Sequence, residues 1–397
     1  MSQKLINLSP DLKRLRDEGY EVEIKNGHLL LHSIPYVSAQ KEIKFGTLIS
    51  TLTLCGDKTA KPDNHVIYFQ GEFPCSEKGT PIEAIRHSSG KKTLAPNVEA
   101  DHSFSNKPSA GYENYFAKME QYVKIISHPA MALESTVTPR TYAPIKPMNE
   151  ESVFNYIDTA SSRAGIQVLS ESLKAQRIAI VGSGGTGAYV LDFVAKTPVC
   201  EIHLFDADDF LSHNAFRCPG AASFEELSQG MKKVDYLATM YSKMRKGIIV
   251  HKKMISLNSV KELNGFDYVF MCVDDGRCKK HIFDALINTS STVIDVGMDV
   301  HLVGQELLGT CRVTTCTKSK SDHIATRVSM GEAVAGGEYA SNIQIAELNA
   351  LNACLAVIKW KQLSGFYQDL EHEHHLTYST NCALLDTDEK DDGNQAA

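Results

Sequence analysis

The strongest constraint on the fold is the stretch RIAIVGSGGTGAYVLDFVAKTPVCEIHLFDADD, residues 177–209. A short apolar run meets closely spaced glycines, then a helical pattern, then a second apolar run that ends in aspartates. This order predicts a βαβ unit whose glycine turn opens a helix and holds a phosphate group. The turn itself fits NAD and ATP equally. The residues expected to contact the nucleotide here are Gly182, Gly184, Gly185, Gly187 and Asp206.

The rest of the chain divides into regions of different pattern. From residue 146 to 385, short apolar runs alternate with helical segments, which predicts an α/β domain with a Rossmann-like, mostly parallel sheet. Residues 1–145 combine strand patterns, an Asn-Gly hairpin signal and an aromatic helix, and predict a separate α+β domain. Prolines within residues 136–152 mark the linker. The acidic end, 386–397, is expected to be a disordered tail.

Charge and composition exclude several classes of protein. The formal net charge is −7, which argues against a general affinity for nucleic acid or an anionic membrane. No apolar run approaches the roughly 20 residues that span a bilayer, and the polar start MSQKLINLSP lacks the apolar stretch of a signal peptide. We therefore expect a cytoplasmic protein. Ten scattered cysteines without a C-x-x-C indicate free thiols and no structural zinc.

Polar residues suited to a bound triphosphate follow the βαβ unit. The segment DADDFLSHNAFR contains Asp208, Asn214 and Arg217, and Lys233 follows in GMKKV. Asp274 ends another apolar run in MCVDDG and suits coordination of Mg²⁺. In an open parallel sheet such positions meet at the carboxyl edge, where ligands bind. A dehydrogenase has little use for this cluster, so these residues favour ATP over NAD.

Residues 177–365 resemble the ThiF/MoeB family of ubiquitin-activating-like adenylyltransferases. Five spaced motifs carry the resemblance: GSGGTG, FDADDF, SHNAFR, GMKKV and CVDDG. There are two departures, because His213 is inserted in SHNAFR and Asp275 stands where Asn is usual. The later IQIAELNALNACLAVIKW is similar to the family's helix after its crossover loop. Residues 1–150 fall outside the resemblance.

The resemblance implies an enzyme that uses Mg-ATP to adenylate the C-terminal carboxylate of a ubiquitin-like protein. The carboxylate attacks the α-phosphate and displaces pyrophosphate, so the site must neutralise charge and align the attack. Arg217 and Lys233 would contact the phosphates, and Asp274 would hold the metal. Asn214 would orient a phosphate or the carboxylate. Asp206 would bind the ribose.

The same resemblance implies further steps and partners. A homodimer built on the C-terminal domain is expected, and Arg163 is similar to the arginine that family dimers lend to the partner's ATP site. Members that go beyond adenylation pass the acyl group to a thiol and then to a ubiquitin-conjugating-type enzyme. Cys316 is expected in an exposed loop, where Lys318 and Lys320 would lower its pKa. Cys311, in an apolar alternation, is expected to be packed.

Other functions stay open from the sequence. The substrate could instead be a sulfur-carrier protein, a small-molecule carboxylate, a peptide or a tRNA-bound carboxylate. An NAD-dependent oxidoreductase and a non-catalytic scaffold are the remaining alternatives. The sequence does not name the modified protein, separate sulfur transfer from conjugation, or choose between Cys316 and Cys311. Residues 1–145 contain no nucleophile–base pair or metal-ligand spacing, so we expect them to select a partner.

Overall fold

The computed structural model describes residues 2–144, 152–164, 166–331 and 343–390. The chain forms two compact units, residues 1–151 with 156–164 and residues 152–155 with 165–397. Within the described ranges, no helix is long and apolar enough to cross a membrane.

The first unit is built on a six-stranded antiparallel sheet with the order β1-β2-β3-β6-β8-β7. Strands β4 and β5 form a separate two-stranded hairpin. The strands are β1 (Glu21–Lys25), β2 (His28–Val37), β3 (Ile43–Thr51), β4 (Leu54–Cys55), β5 (Lys58–Thr59), β6 (Val66–Gln70), β7 (Arg86–Ala95) and β8 (Val98–Ser105). The helices are α1 (Ser2–Leu8), α2 (Pro10–Asp17), α3 (Tyr115–Leu133) and α4 (Thr159–Ala164), with a 3₁₀ turn at Glu83–Ile85.

Local sequence signals explain the hairpin and the main helix of this unit. Asn26 and Gly27 have φ values of +46° and +74°, the conformation that lets a two-residue turn join twisted antiparallel strands. Helix α3 begins after Asn114, whose side chain accepts a hydrogen bond from the Ala117 amide at 2.9 Å. Its aromatic face packs in the core of the unit. The predicted α+β class of this region is confirmed.

The first unit buries the ammonium group of Lys118 completely. Lys118 of α3 is fully buried, and its Nζ donates a hydrogen bond to Ser50 Oγ at 2.9 Å. Burial lowers the pKa of Lys118 to about 8, because a charged amine is disfavoured away from water. The Asp63 carboxylate acts in the opposite direction.

The second unit contains an eight-stranded sheet with the order β11-β10-β9-β12-β13-β14-β15-β16. Its strands are β9 (Arg177–Val181), β10 (Glu201–Phe205), β11 (Ile248–His251), β12 (Tyr268–Met271), β13 (Thr292–Val303), β14 (Glu306–Cys316), β15 (Glu373–Ser379) and β16 (Leu384–Lys390). Its helices are α5 (Gln167–Glu171), α6 (Gly185–Ala195), α7 (Ser212–Ala215), α8 (Phe224–Ser228), α9 (Lys233–Ser242), α10 (Gly276–Leu286), α11 (Ile324–Arg327) and α12 (Ala346–Leu363), with a 3₁₀ turn at Val260–Leu263.

The first five strands of this sheet are parallel, and the last three continue it antiparallel. Helices α6 and α12 pack in one apolar cluster with the central strands, and α10 packs in a second. Burial on both faces explains why these strands read as continuous apolar runs. The predicted Rossmann-like fold is confirmed. Strand β9 lies between β10 and β12, which is the point where the strand order reverses and ligands bind in such sheets.

The acidic end of the chain differs from its prediction. Residues 384–390 form β16, which pairs antiparallel with β15. Arg327 bonds to both Asp388 and Glu389, the latter with Nε to Oε1 at 2.8 Å. The backbone ladder and these ion pairs offset the repulsion between neighbouring carboxylates. The expectation of a disordered tail is therefore wrong for 386–390, and residues 391–397 lie outside the described residues.

Candidate active site

The glycine turn joins β9 to α6, and its glycines have different roles. Gly182 has a φ of +87°, and a Cβ there would lie 2.6 Å from the Cys272 carbonyl oxygen. A Cβ at Gly187 would lie 1.9 Å from the Gly182 oxygen, so both positions exclude a side chain. At Gly184, the N-cap of α6, no atom of the described chain lies within 4 Å of the Cβ position. Packing therefore does not require glycine there, and the open backbone leaves room for a ligand to approach.

Asp206 orders this turn from the end of β10. Its carboxylate is buried, and Oδ2 accepts hydrogen bonds from the Ser183 amide at 2.8 Å and from Ser183 Oγ at 3.0 Å. Oδ1 accepts from the Asp208 amide at 2.8 Å. The side chain thus links the glycine turn to the segment that follows β10. Contact of Asp206 with a ribose stays a prediction.

Lys233 is the first residue of α9 and is held next to Asp208. Its Nζ lies 2.7 Å from Asp208 Oδ2, and its amide donates to the Asp208 carbonyl at 3.0 Å. The lysine side chain is 10% exposed and the aspartate side chain 60% exposed. The ammonium group therefore lies at the edge of the protein, where an exposed carboxylate is its partner.

Asn214 and Arg217 present buried donors at the same edge. Asn214 lies in the short helix α7 and is 1% exposed; its Oδ1 accepts a hydrogen bond from the Leu211 amide at 2.9 Å. Among the residues that the structure describes, Asn214 Nδ2 and Arg217 Nε have no hydrogen-bond partner. Leaving a buried donor unpaired costs about 1–3 kcal/mol. Two such donors in one segment indicate a site prepared for an acceptor from outside the chain.

Cys218 connects this segment to the glycine turn. Its Sγ donates a hydrogen bond to the Gly184 carbonyl oxygen at 3.8 Å. Burial raises the pKa of Cys218 to about 11, while the positive charges of Arg217 and Lys233 lower it and the Asp206 carboxylate raises it further. One buried thiol thus experiences the charges of three predicted site residues. The structure brings Asp206, Arg217 and Lys233 together beside the glycine turn.

Asp274 follows β12, the strand next to β9, and its side chain is exposed. The Cys272 amide donates to the Val181 carbonyl at 2.8 Å, which brings the chain before Asp274 to the glycine turn. Asp275 instead caps α10, where it accepts a hydrogen bond from the Arg277 amide at 2.9 Å. This capping role explains the aspartate at that position. In the described ranges, no group of three or more His, Cys, Asp or Glu residues is placed to hold a metal ion.

The predicted thiol, Cys316, does not lie in an exposed loop. Cys316 is the last residue of β14, pairs with Val293 of β13 and is 2% exposed. Burial raises its pKa to about 11, so the expected exposure and lowered pKa are both wrong. Cys316 packs in the apolar cluster around α10, although its sequence neighbours are polar. Cys311 is fully buried as predicted. A role of Cys316 as nucleophile stays a prediction.

Arg163, expected at a dimer interface, lies in α4, and its side chain is outside the described residues.

Sequence analysis did not identify two residues of the site. Ser183, inside the glycine turn, is 1% exposed and holds Asp206 with two hydrogen bonds. Asn349 of α12 contacts the first turn of α6, where it accepts a hydrogen bond from Thr186 Oγ1 at 2.7 Å. The available signal was a pair of asparagines three residues apart within the mostly apolar stretch LNALNACLAVI of that helix.

Comparison with solved structures gives similarities at low identity. PaaA is 16% identical with a TM-score of 0.45, and the match covers 56% of this chain and 75% of that one. E. coli MccB with ATP is 14% identical with a TM-score of 0.44 and coverage of 56% and 66%. E. coli MccB with MccA-N7isoASN is 13% identical with a TM-score of 0.46 and coverage of 70% and 83%. At these TM-scores the similarities carry no further conclusion. No curated protein matches the chain.

Two protein families match consecutive parts of the chain. A domain of unknown function (DUF6791) matches residues 10–159, which form most of the first unit. The ThiF family matches residues 160–369, more than half of the chain, and this range contains the glycine turn and the residues grouped around it. The protein therefore belongs to the ThiF family.

Proposed function

We propose that this chain binds Mg-ATP at the turn after β9 and adenylates the C-terminal carboxylate of a ubiquitin-like protein. The coarser part, ATP-dependent adenylation of a carboxylate by an adenylating enzyme, follows from membership of the ThiF family. The observation that supports the nucleotide site is the pair of buried donors without partners, Asn214 Nδ2 and Arg217 Nε. Phosphate oxygens are acceptors that suit both donors.

The residues of this site have distinct tasks in the proposed reaction. A phosphate at the open backbone of Gly184 lies at the positive end of α6. Arg217 and Lys233 neutralise negative charge, which a carboxylate must approach in order to attack. Lys233 reaches a phosphate by exchanging its exposed partner, Asp208, for a phosphate oxygen. The carboxylate oxygen bonds to the α-phosphorus, the bond to the β-phosphate oxygen breaks, and pyrophosphate leaves.

Asp274 fits the proposed metal. Mg²⁺ takes oxygen ligands, and in nucleotide sites one or two carboxylates hold it together with phosphate oxygens and water. One exposed carboxylate next to the glycine turn matches that arrangement, whereas a cage made only of protein ligands is not present among the described residues. When bound, the ion would withdraw charge from the phosphates that leave.

The organisation of the chain supports one of the proposed partners, a protein substrate. The first unit has its own sheet and its own apolar core, which supports a role in holding a protein substrate. We further propose that the enzyme is a homodimer and that transfer to a conjugating-type enzyme follows. The burial of Cys316 requires that its thiol become accessible if it carries the activated partner.

Pyrophosphate exchange tests the proposal. The protein is incubated with ATP, Mg²⁺ and labelled pyrophosphate, and label entering ATP is measured with each candidate carboxylate in turn. We expect exchange with a ubiquitin-like protein that has a free C-terminus, and none when that carboxylate is amidated. Exchange only with peptides, sulfur carriers or small carboxylates would replace the substrate in this proposal. Absence of ATP binding by calorimetry would reject the nucleotide site itself.

A further inference from the structure

Helix α12 places two asparagines on its buried face. Asn349 is 1% exposed and Asn352 is fully buried. Asn352 Nδ2 donates a hydrogen bond to the Gly297 carbonyl at 2.8 Å, which attaches the helix to β13. Asn349 instead faces α6, where its Oδ1 accepts from Thr186 Oγ1 at 2.7 Å. Both residues are buried asparagines of the same helix, but they contact different elements.

The carboxamide of Asn349 lies directly against the first turn of α6. A Cβ at Gly185, the first residue of that helix, would lie 2.3 Å from Asn349 Nδ2. Glycine at this position therefore makes room for the amide group. Asn349 Nδ2 has no hydrogen-bond partner in the part of the chain that the structure describes. An apolar side chain would fill the same space without the cost of an unpaired buried donor.

The surroundings of this donor point to an anionic ligand. The amides of the first helical turn have no partner within the helix, and the helix dipole adds positive potential there. The Asn214–Cys218 segment reaches the turn at Gly184, whereas Asn349 reaches it at Gly185 and Thr186. Two separate elements, the Asn214–Cys218 segment and α12, therefore contact the same turn, and each contains a buried side-chain donor without a partner among the described residues.

We propose that Asn349 Nδ2 donates a hydrogen bond to an anionic oxygen bound at the first turn of α6. This inference rests on the proposed adenylation function and adds a ligand-binding residue to it. The oxygen belongs either to a phosphate of ATP or to the substrate carboxylate, since both are anionic acceptors at the reacting centre. A neutral donor suits this position because it stabilises an anion without an ion pair that would compete with Arg217 and Lys233.

The test replaces Asn349 with an aspartate of the same shape. Asn349→Asp keeps the acceptor for Thr186 and gains from the helix dipole, but it removes the donor. The matched control is Asn352→Asp, which makes the same change one turn later and breaks only the bond to Gly297. Affinity for Mg-ATP is measured by calorimetry in the full chain, and the apparent KM for the carboxylate substrate is measured by pyrophosphate exchange. Thermal melting without ligand verifies that each variant folds.

We expect Asn349→Asp to weaken the affected ligand about 10-fold to 100-fold, the range for a lost hydrogen bond to a charged group. A raised ATP dissociation constant identifies a phosphate, and a raised carboxylate KM with unchanged ATP affinity identifies the carboxylate. The inference is overturned if neither constant changes, or if Asn352→Asp in folded protein changes them equally. Wild-type protein that binds no ATP would instead reject the proposed function.

A measurement on the wild-type protein tests the inference even if the aspartate variant does not fold. The protein is labelled with ¹⁵N-asparagine, and the Asn349 carboxamide signal is assigned by its loss in Asn349→Ala. Mg-ATP, followed by the carboxylate substrate, should shift this signal strongly while the Asn352 carboxamide stays in place. A signal that moves with neither ligand overturns the inference.

Discussion

Replacing Asn214 with aspartate separates the contribution of its side chain to folding from its contribution to ligand binding. The side chain has one satisfied atom, Oδ1, which accepts from Leu211, and one buried donor, Nδ2, without a partner among the described residues. Asn214→Asp keeps the shape and the acceptor, and it converts the donor into a carboxylate oxygen close to Arg217. We therefore expect the variant to fold without ligand and to bind ATP more weakly.

The magnitude follows from the chemistry of the lost contact. A hydrogen bond to a charged group contributes about 1.5–3 kcal/mol, and each 1.4 kcal/mol is about tenfold in affinity. The ATP dissociation constant should therefore rise at least about 10-fold to 100-fold, with repulsion between carboxylate and phosphate adding to the loss. At an ATP concentration about 100 times the wild-type constant, ligand stabilises the wild type by about 2.7 kcal/mol, and a variant bound 100-fold more weakly by about 0.4 kcal/mol.

Thermal melting with and without Mg-ATP, together with calorimetry, measures both quantities. The control is Asn264→Asp, which makes the same change at an exposed position after the Val260–Leu263 turn, before β12 begins. That variant should keep the full ATP-induced shift in melting temperature. If folded Asn214→Asp protein binds ATP as tightly as the wild type, Nδ2 does not contact the nucleotide and the reasoning from unpaired donors is refuted.

Five further substitutions have defined outcomes. Gly184→Ala should have the melting temperature of the wild type and bind ATP at least about 10-fold more weakly. Gly187→Ala should fail to fold because its Cβ meets a carbonyl oxygen at 1.9 Å. Equal melting temperatures of the two variants would contradict this. Asp274→Ala should keep its fold and lose Mg²⁺-dependent pyrophosphate exchange, and substantial exchange would count against its metal role. In the wild type, the free energy of unfolding should rise by about 3 kcal/mol between about pH 8 and pH 10.5, because the folded lysine binds its proton more weakly than the unfolded one. Lys118→Met should abolish this rise. Denaturant titrations that give parallel pH profiles for both proteins would exclude this. Cys316→Ala should leave exchange unchanged and remove any reductant-sensitive adduct with the partner on a gel, and an adduct that survives would assign the thiol elsewhere.

Local pattern and backbone requirements made most of the second unit predictable. The glycine turn, its strand and its helix are specified by neighbouring residues, since Gly182 needs a positive φ and Gly187 lies against the turn itself. Asn214, Arg217 and Lys233 were expected at one edge because parallel strands end there. The structure places Asp206, Arg217 and Lys233 together beside the turn, and their contacts with a nucleotide stay a prediction.

Contacts between distant parts of the chain account for what the sequence could not predict. Cys316 has polar neighbours, yet its pairing with Val293 places it in an apolar cluster. The carboxylates near residue 388 gain order from Arg327, about sixty residues away in the chain. Asp206 accepts two hydrogen bonds from Ser183, 23 residues earlier in the chain, which its position at the end of β10 alone did not reveal. Partners of this kind are known only after the chain has folded.

The final strand also determines how the protein can be shortened or tagged. A designer who took residues 386–397 for a dispensable extension would end the chain at residue 385 and delete most of β16 (Leu384–Lys390). That cut would expose the backbone amides and carbonyls along one side of β15 (Glu373–Ser379), and Arg327 would lose its carboxylates. An open strand edge is a template for pairing with another molecule. The shortened protein should therefore aggregate during purification, and an affinity tag should be attached beyond β16.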